Sequence, residues 1–146
     1  MFKRKVNKKV INATPCIYNG IEFKSKTEGK VYKALVSEGF KVKYEPDTIT
    51  LLDKFKPTKS WYLDGLPQIT KSGVPLTQHG WTYTPDFRID YNNTIIYIEV
   101  KGKPNDVYPY KRKMFLKYIE KFKNIYFFEV HTLKGLQKTI DIIKNL

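Results

Sequence analysis

Hydrophobic and polar residues alternate with two different periods along the chain, and the changes of period predict the order of helices and strands. Residues 17–24 alternate with period two around an Asn-Gly pair, which predicts a short hairpin. Ser25 then has the character of a helix N-cap, and Glu28 follows at the spacing of a capping box. Gly39 ends this predicted helix. Its apolar stripe consists of Val31, Ala34 and Leu35.

The rest of the chain continues as an alternation of strands and helices. Residues 53–80 are rich in Pro, Gly, Lys and Thr and have no periodicity, so we interpret them as a long insertion. The whole pattern predicts an α/β fold, a mixed sheet flanked by helices, in a single domain over residues 16–146. The further predicted strands are 41–44, 48–52, 81–91, 94–101 and 125–130, and the further predicted helices are 108–122 and 133–145.

The two strands on either side of Asn92-Asn93 contain the most informative pattern. If these asparagines form the turn of a hairpin, the numbers of paired residues sum to 185, and Asp86 lies opposite Glu99 with Cβ atoms about 4.5–5.5 Å apart. Period-two alternation then predicts a buried apolar face and, opposite to it, a functional face. The apolar face is Phe87, Ile89, Ile96, Ile98 and Val100; the other face is Asp86, Arg88, Asp90, Ile95, Tyr97, Glu99 and Lys101.

Two carboxylates placed directly opposite each other predict a partner of positive charge. Their repulsion is destabilising unless a counter-charge lies between them. A divalent cation would remove the repulsion, and the hard oxygen ligands of Asp86 and Glu99 suit Mg²⁺, with Mn²⁺ as a substitute. Lys101 lies on the same face, two residues beyond Glu99. Two carboxylates, a lysine and a metal are the components of a site for phosphodiester hydrolysis. The alternative is a surface hairpin in which Lys101 only neutralises the two acids.

The charge of the chain indicates a polyanionic partner. The 146 residues include 27 Lys and Arg against 14 Asp and Glu, a formal charge of +13, and residues 1–9 contribute +5 of it without any acid. We therefore expect a basic N-terminal arm over residues 1–15 and a nucleic acid as partner, although general solubility would also explain a high lysine content. Hydrophobic residues make up 41%, which suffices for a buried core and argues against disorder.

Other function classes are disfavoured by the composition. One cysteine and two histidines exclude a disulfide framework and a protein-only zinc finger. No apolar run approaches the ~20 residues of a membrane helix, and no apolar segment follows the basic start as in a secretory signal. We therefore expect no membrane partner and a cytoplasmic location, the host cytoplasm if the protein is encoded by a phage.

Three short motifs in order resemble the PD-(D/E)xK nuclease superfamily. Pro85-Asp86 corresponds to the PD, Glu99-Val100-Lys101 to the (D/E)xK, and the Ser-Lys-Thr-Glu segment ending at Glu28 resembles the helical acidic motif. The resemblance covers about residues 20–130 and is strongest toward small phage-encoded endonucleases and Holliday-junction resolvases. It implies a restriction-endonuclease-like fold with an αβββαβ core.

The resemblance also implies roles for individual residues. Asp86 and Glu99 would bind Mg²⁺ together with the Val100 carbonyl oxygen, and Lys101 would be the catalytic lysine. Glu28 would supply a further ligand to the metal or to a water molecule, and the resemblance thus makes Glu28 a member of the catalytic set. Glu45, on the strand after the first helix, is the competing candidate for this third carboxylate.

The expected activity is Mg²⁺-dependent endonucleolytic cleavage of DNA that leaves 5′-phosphate and 3′-hydroxyl ends. Branched DNA is the first substrate expectation, and two symmetric cuts would require a homodimer. The alternatives are a sequence-specific or transposase-like nuclease of the same superfamily and a non-catalytic basic DNA-binding protein. Trp61, Tyr62, Trp81 and Tyr83 are candidates for stacking on bases, although aromatics of this kind more often belong to the core. The residues expected to contact DNA are Lys103, Lys111, Arg112, Lys113 and Lys117, with Lys121 on the same helix face.

Overall fold

The computed structural model describes residues 13–146, so most of the expected basic arm (1–15) lies outside the described residues. The chain forms a mixed α/β structure. In chain order its elements are β1 (Cys16–Tyr18), β2 (Ile21–Phe23), α1 (Lys26–Ser37), β3 (Val42–Tyr44), β4 (Ile49–Leu52), β5 (Tyr62–Leu63), β6 (Leu66–Pro67), β7 (Trp81–Tyr83), β8 (Phe87–Tyr91), β9 (Thr94–Val100), α2 (Tyr108–Ile119), β10 (Ile125–Val130) and α3 (Leu133–Lys144).

A four-stranded mixed sheet forms the centre of the fold. Its strand order is β10-β9-β8-β3; β10 runs parallel to β9, and the other neighbours are antiparallel. One face of the sheet packs against α1 and α3. The other face packs against α2 and a ribbon formed by β4 and β7. The sheet is therefore covered on both sides, as expected for an α/β fold.

The predicted hairpin register is confirmed. Asn92 and Asn93 have φ of 46° and 59°, the left-handed conformation that a two-residue primed turn requires. Tyr91 pairs with Thr94, and the ladder continues to Phe87 opposite Ile98, so all pairs sum to 185. The predicted apolar face is buried throughout. It forms the main core together with helix residues that include Val31, Leu35, Leu136, Ile140 and Ile143.

The prediction that the entire opposite face is functional is wrong. Tyr97, in the middle of that face, is buried against Phe115 of α2. Tyr97 and Ile95 therefore belong to a second core with α2, whereas Arg88 and Asp90 form an ion pair that stays partly exposed. The acidic pair and Lys101 lie at the end of this face, where the strands finish.

The prediction of a single strand over residues 81–91 is also wrong. The structure has two strands there, separated by Thr84-Pro85-Asp86, and they belong to different sheets because β7 pairs with β4. Pro85 has no N–H for a continuous ladder, and this favours the interruption. The helix predicted over 108–122 is likewise shorter and ends at Ile119.

The first helix begins and ends as its sequence predicts. Ser25 Oγ accepts a hydrogen bond from the Glu28 backbone N–H at 3.1 Å, and Ser25 is the N-cap. Gly39, at φ 88°, donates from its N–H to the Val36 carbonyl just after the helix. This geometry fixes Glu28 in the first helical turn, with its side chain toward the interior.

The predicted insertion is an extension of the β4–β7 ribbon. Beyond these strands a bridge joins Phe55 to Gln78, and the chain then forms the small hairpin β5–β6. Gly80 is required at the base, because a Cβ atom there would lie 2.3 Å from the Leu52 carbonyl oxygen. Among residues 13–146, no helix is both long and apolar enough to cross a membrane.

Candidate functional site

Asp86 and Glu99 lie together at one end of the β8–β9 hairpin. Asp86 immediately precedes β8, and Glu99 is the penultimate residue of β9. Their exposed fractions are only 9% and 3%. Asp86 Oδ2 accepts a hydrogen bond from the Val100 backbone N–H at 2.7 Å, which ties the two strands together beyond the last ladder pair. The confirmed register thus brings the two predicted acids close to each other.

Both carboxylate oxygens of Glu99 have a partner. Lys101 Nζ lies 2.5 Å from Oε1, and the Tyr83 hydroxyl donates to Oε2 at 2.7 Å. Tyr83 is buried in a core cluster, so for this residue the core position is the correct one of the two alternatives and base stacking is excluded. The interruption of the strand at Pro85 moves Tyr83 onto the β4–β7 ribbon, from which its hydroxyl reaches Glu99.

Glu28 approaches the pair from the first turn of α1. Its Oε2 accepts hydrogen bonds from the Tyr44 hydroxyl at 2.7 Å and from the Lys24 backbone N–H at 3.2 Å. The Ser25 hydroxyl donates to its other oxygen at 2.9 Å. All three donors are neutral, so they orient the carboxylate without cancelling its charge. Glu28 is 9% exposed and adds to the negative potential at Asp86.

Glu45 occupies a different environment. Its carboxylate forms an ion pair with the Lys24 ammonium, which neutralises it. Its backbone N–H donates to the Asp86 carbonyl oxygen at 2.8 Å, and its φ is 44°, a conformation that costs energy in a residue with a side chain. Glu45 therefore supports the backbone of Asp86, whereas Glu28 presents the less neutralised charge.

Burial, and then repulsion between like charges, determine the electrostatics of the site. Burial, and then repulsion from Glu99 and Glu28, raise the pKa of Asp86 to about 8; the Val100 N–H and Lys101 act in the opposite direction. Burial and the nearby Glu99 carboxylate also raise the pKa of Tyr83, which stays a neutral donor. The site therefore favours a bound proton or another cation beside Asp86.

The ligand atoms that the candidate site offers to a metal are hard oxygens, which suit a divalent cation such as Mg²⁺. Within residues 13–146, however, no three His, Cys, Asp or Glu side chains are grouped closely enough to hold a metal on their own. Mg²⁺ in proteins is commonly bound by one or two carboxylates, with water and substrate phosphate completing its coordination. Asp86 and Glu99 meet that lower requirement, and a cation would compete with Lys101 for Glu99.

A second polar cluster lies beside the first. Glu129 on β10 is the register partner of Glu99, and Lys101 continues the ladder by donating its N–H to the Val130 carbonyl. The Glu129 carboxylate accepts hydrogen bonds from Tyr108 and Arg112, each at 2.8 Å, and His131 Nε2 lies 2.6 Å from it. Despite partial burial, these partners hold the pKa of Glu129 below its usual value.

Apart from Arg112, the residues of this second cluster, and Tyr44, had no role in the sequence-based predictions. No pattern in the sequence indicates these contacts, because Tyr44, Tyr83 and Tyr108 are far along the chain from the carboxylates to which they donate. A period-two pattern shows which face a tyrosine occupies, but it does not show which acid its hydroxyl reaches.

The basic residues expected to contact DNA lie on or near α2, and they differ in their exposure and in their partners. Lys103 and Lys113 are exposed, and Lys111 is half-buried. Arg112 is engaged with Glu129, and the exposed Lys117 with Glu120. Lys121 lies over the Tyr118 ring, 5.5 Å from its centroid. Of this set, Arg112 is the residue that the structure brings next to the candidate site, because its partner Glu129 pairs with Glu99 across the sheet.

The chain belongs to a family described as "Protein of unknown function (DUF1064)", whose model matches residues 7–138. This match covers most of the chain and includes every candidate site residue. Searches of curated proteins and of solved structures found no significant match.

Proposed function

We propose that the protein is a metal-dependent DNA endonuclease of the PD-(D/E)xK type. The observation that carries the proposal is the convergence of Asp86, Glu99 and Lys101 at the end of the buried β8–β9 hairpin. The raised pKa of Asp86 adds to it, because such a site gains from a bound cation. A surface hairpin with simple charge neutralisation would expose these groups to solvent, whereas here both acids are buried.

The order of elements supports a restriction-endonuclease-like core. If the N-terminal hairpin β1–β2, the segment from β4 to β7 and the C-terminal helix α3 are set aside, the remaining order is α1, β3, β8, β9, α2 and β10. This is the αβββαβ order that the motif resemblance implies. The PD and (D/E)xK motifs then fall on the second and third strands of that core, and Glu28 falls on its first helix.

The metal site would consist of Asp86 and Glu99, the Val100 carbonyl oxygen and, through a water molecule, Glu28. Mg²⁺ bound there would act as a Lewis acid toward the scissile phosphate and lower the pKa of a water molecule. Asp86 must lose its proton to serve as a ligand, so loading becomes easier as the pH rises toward 8. Mn²⁺ should substitute because it accepts the same oxygen donors.

The other side chains of the site have separate tasks. Lys101, with 26% of its side chain exposed, carries a positive charge at the strand ends, where it would stabilise the charge that develops on the phosphate. Tyr83 holds Glu99 through one oxygen and thereby fixes the direction of the other. Lys103, Lys111 and Lys113 would hold the neighbouring DNA backbone.

Branched DNA remains the proposed substrate, acted on by a homodimer; cleavage of specific sequences is the alternative within the same class. A non-catalytic DNA-binding protein is the second candidate. It is favoured by the ion pair of Lys101 with Glu99 and by the lack, in residues 13–146, of a three-residue metal group. Both candidates use the same basic surface, so only cleavage distinguishes them.

A substrate screen tests the proposal. The purified protein is incubated with linear, nicked, flapped and four-way DNA in Mg²⁺, in Mn²⁺ and in EDTA, and the ends of any product are mapped. We expect metal-dependent cuts with 5′-phosphate ends, and preference for the four-way substrate. Tight DNA binding without cleavage of any substrate would favour the non-catalytic alternative.

A further inference from the structure

The ammonium group of Lys101 has a second contact besides Glu99. Its Nζ lies over the ring of Tyr108, 4.4 Å from the ring centroid. A cation at this distance is attracted by the electron-rich face of the ring. Glu99 and Tyr108 together therefore define where the Lys101 charge lies, although part of the side chain is exposed.

Tyr108 is itself held firmly in place. It is the first residue of α2 and only 4% exposed, packed near Tyr83 and Phe115. Its backbone N–H donates to Asn105 Oδ1 at 2.8 Å, and its hydroxyl donates to Glu129 Oε2 at the same distance. The ring is thus fixed at both ends, by the start of the helix and by β10.

Glu129 is suited to this anchoring task. It is the register partner of Glu99 on the adjacent parallel strand, so the pairing of β10 with β9 positions both carboxylates. Arg112 donates to the same oxygen of Glu129 and lies 5.7 Å from the centroid of the Tyr108 ring. The ring therefore has two cations nearby, Arg112 bound to Glu129 and Lys101 bound to Glu99.

We propose that Tyr108, anchored by Glu129, is a positioning residue that holds the Lys101 ammonium at the candidate site. The role rests on the proposed function, since it acts through the catalytic lysine. The ring is the part of Tyr108 that contacts Lys101, and the hydroxyl serves to fix the ring. Loss of the ring should therefore impair the reaction more than loss of the hydroxyl.

Two variants separate these parts. Tyr108→Phe keeps the ring, and Tyr108→Leu removes it. For Tyr108→Leu we expect a fall in kcat of roughly 10- to 100-fold with little change in KM, because a misplacement of about 1 Å can cost that much in rate. Tyr108→Phe should stay within a few-fold of the wild type. The matched control is Tyr118→Leu, which removes the ring beneath Lys121 on the same helix and should leave kcat unchanged.

A spectroscopic measurement makes the test independent of activity. The ring current of Tyr108 should shift the ε-methylene NMR signals of Lys101 upfield in the wild type and in Tyr108→Phe, and the shift should disappear in Tyr108→Leu; Lys101→Arg assigns the signals. Absence of the shift in the wild type would overturn the positioning role. So would equal loss of kcat in the Phe and Leu variants, or an unchanged kcat in Tyr108→Leu. A wild type that shows the shift but cleaves no DNA would instead refute the proposed function.

Discussion

Asp86→Asn should stabilise the metal-free protein at alkaline pH. The folded protein holds the pKa of Asp86 at about 8, against an ordinary value of 3.8. Between these values the folded state binds more protons than the unfolded state, so stability falls as the pH rises through this window. Below about pH 4 both states are protonated and the cost vanishes. Asparagine stays neutral throughout and keeps an acceptor for the Val100 N–H.

The size of the effect follows from the same linkage. Each pH unit between the folded and unfolded pKa corresponds to about 1.4 kcal/mol, which sets an upper limit of several kcal/mol. Glu99 shares part of the cost of ionising Asp86, and Lys101 reduces it. We therefore expect Asp86→Asn to raise the free energy of unfolding by about 1–3 kcal/mol at pH 9 and to leave it unchanged near pH 4.

Urea unfolding in EDTA at pH 4, 6 and 9 measures this difference. Asp90→Asn, four residues further along in β8, is the matched control, because Lys43 and Arg88 lower the pKa of Asp90 and the substitution should slightly reduce stability at pH 9. Mg²⁺ should stabilise the wild type and leave Asp86→Asn unchanged. A wild type that is more stable than Asp86→Asn at pH 9 in EDTA would refute the inference of uncompensated negative charge.

Three further substitutions test the arrangement. Tyr83→Phe leaves Glu99 without its buried donor and should cost about 1–3 kcal/mol in urea unfolding while lowering the cleavage rate; unchanged stability would show that the hydrogen bond is dispensable. Lys101→Met should abolish cleavage, yet bind DNA within a few-fold of the wild type in a gel-shift assay, and retained cleavage would remove it from the mechanism. Ile98→Ala should destabilise the core by about 2–5 kcal/mol in urea unfolding, since its side chain is fully buried, and a cost below 1 kcal/mol would contradict the packing.

The register of the central hairpin was the part of the fold that could be predicted most completely from the sequence. Two asparagines specify the turn, and a one-residue slip would turn Ile89, Ile96 and Ile98 away from the core, so the register was strongly determined. Local signals likewise determined the ends of α1, because the Ser25 cap and Gly39 act on their own neighbours in the chain.

Contacts between distant segments escaped prediction. Pro85 stands within an otherwise strand-like pattern, and only the pairing of β7 with β4 shows that the chain changes sheet there. The second core formed because α2 covers Tyr97, which an alternating pattern does not reveal. The same holds for the tyrosines of the site, whose hydroxyl partners depend on how separate elements pack together.

The most direct test of the nuclease assignment is cleavage of supercoiled plasmid by the wild type and by Asp86→Asn, measured side by side in Mg²⁺ at pH 8. Both proteins are first shown to have the same circular dichroism spectrum. We expect nicked and linear products with the wild type, none in EDTA, and a loss of at least 100-fold with Asp86→Asn, since removal of a metal ligand typically abolishes such activity. Equal cleavage by both proteins, or no Mg²⁺-dependent cleavage by either, would contradict it.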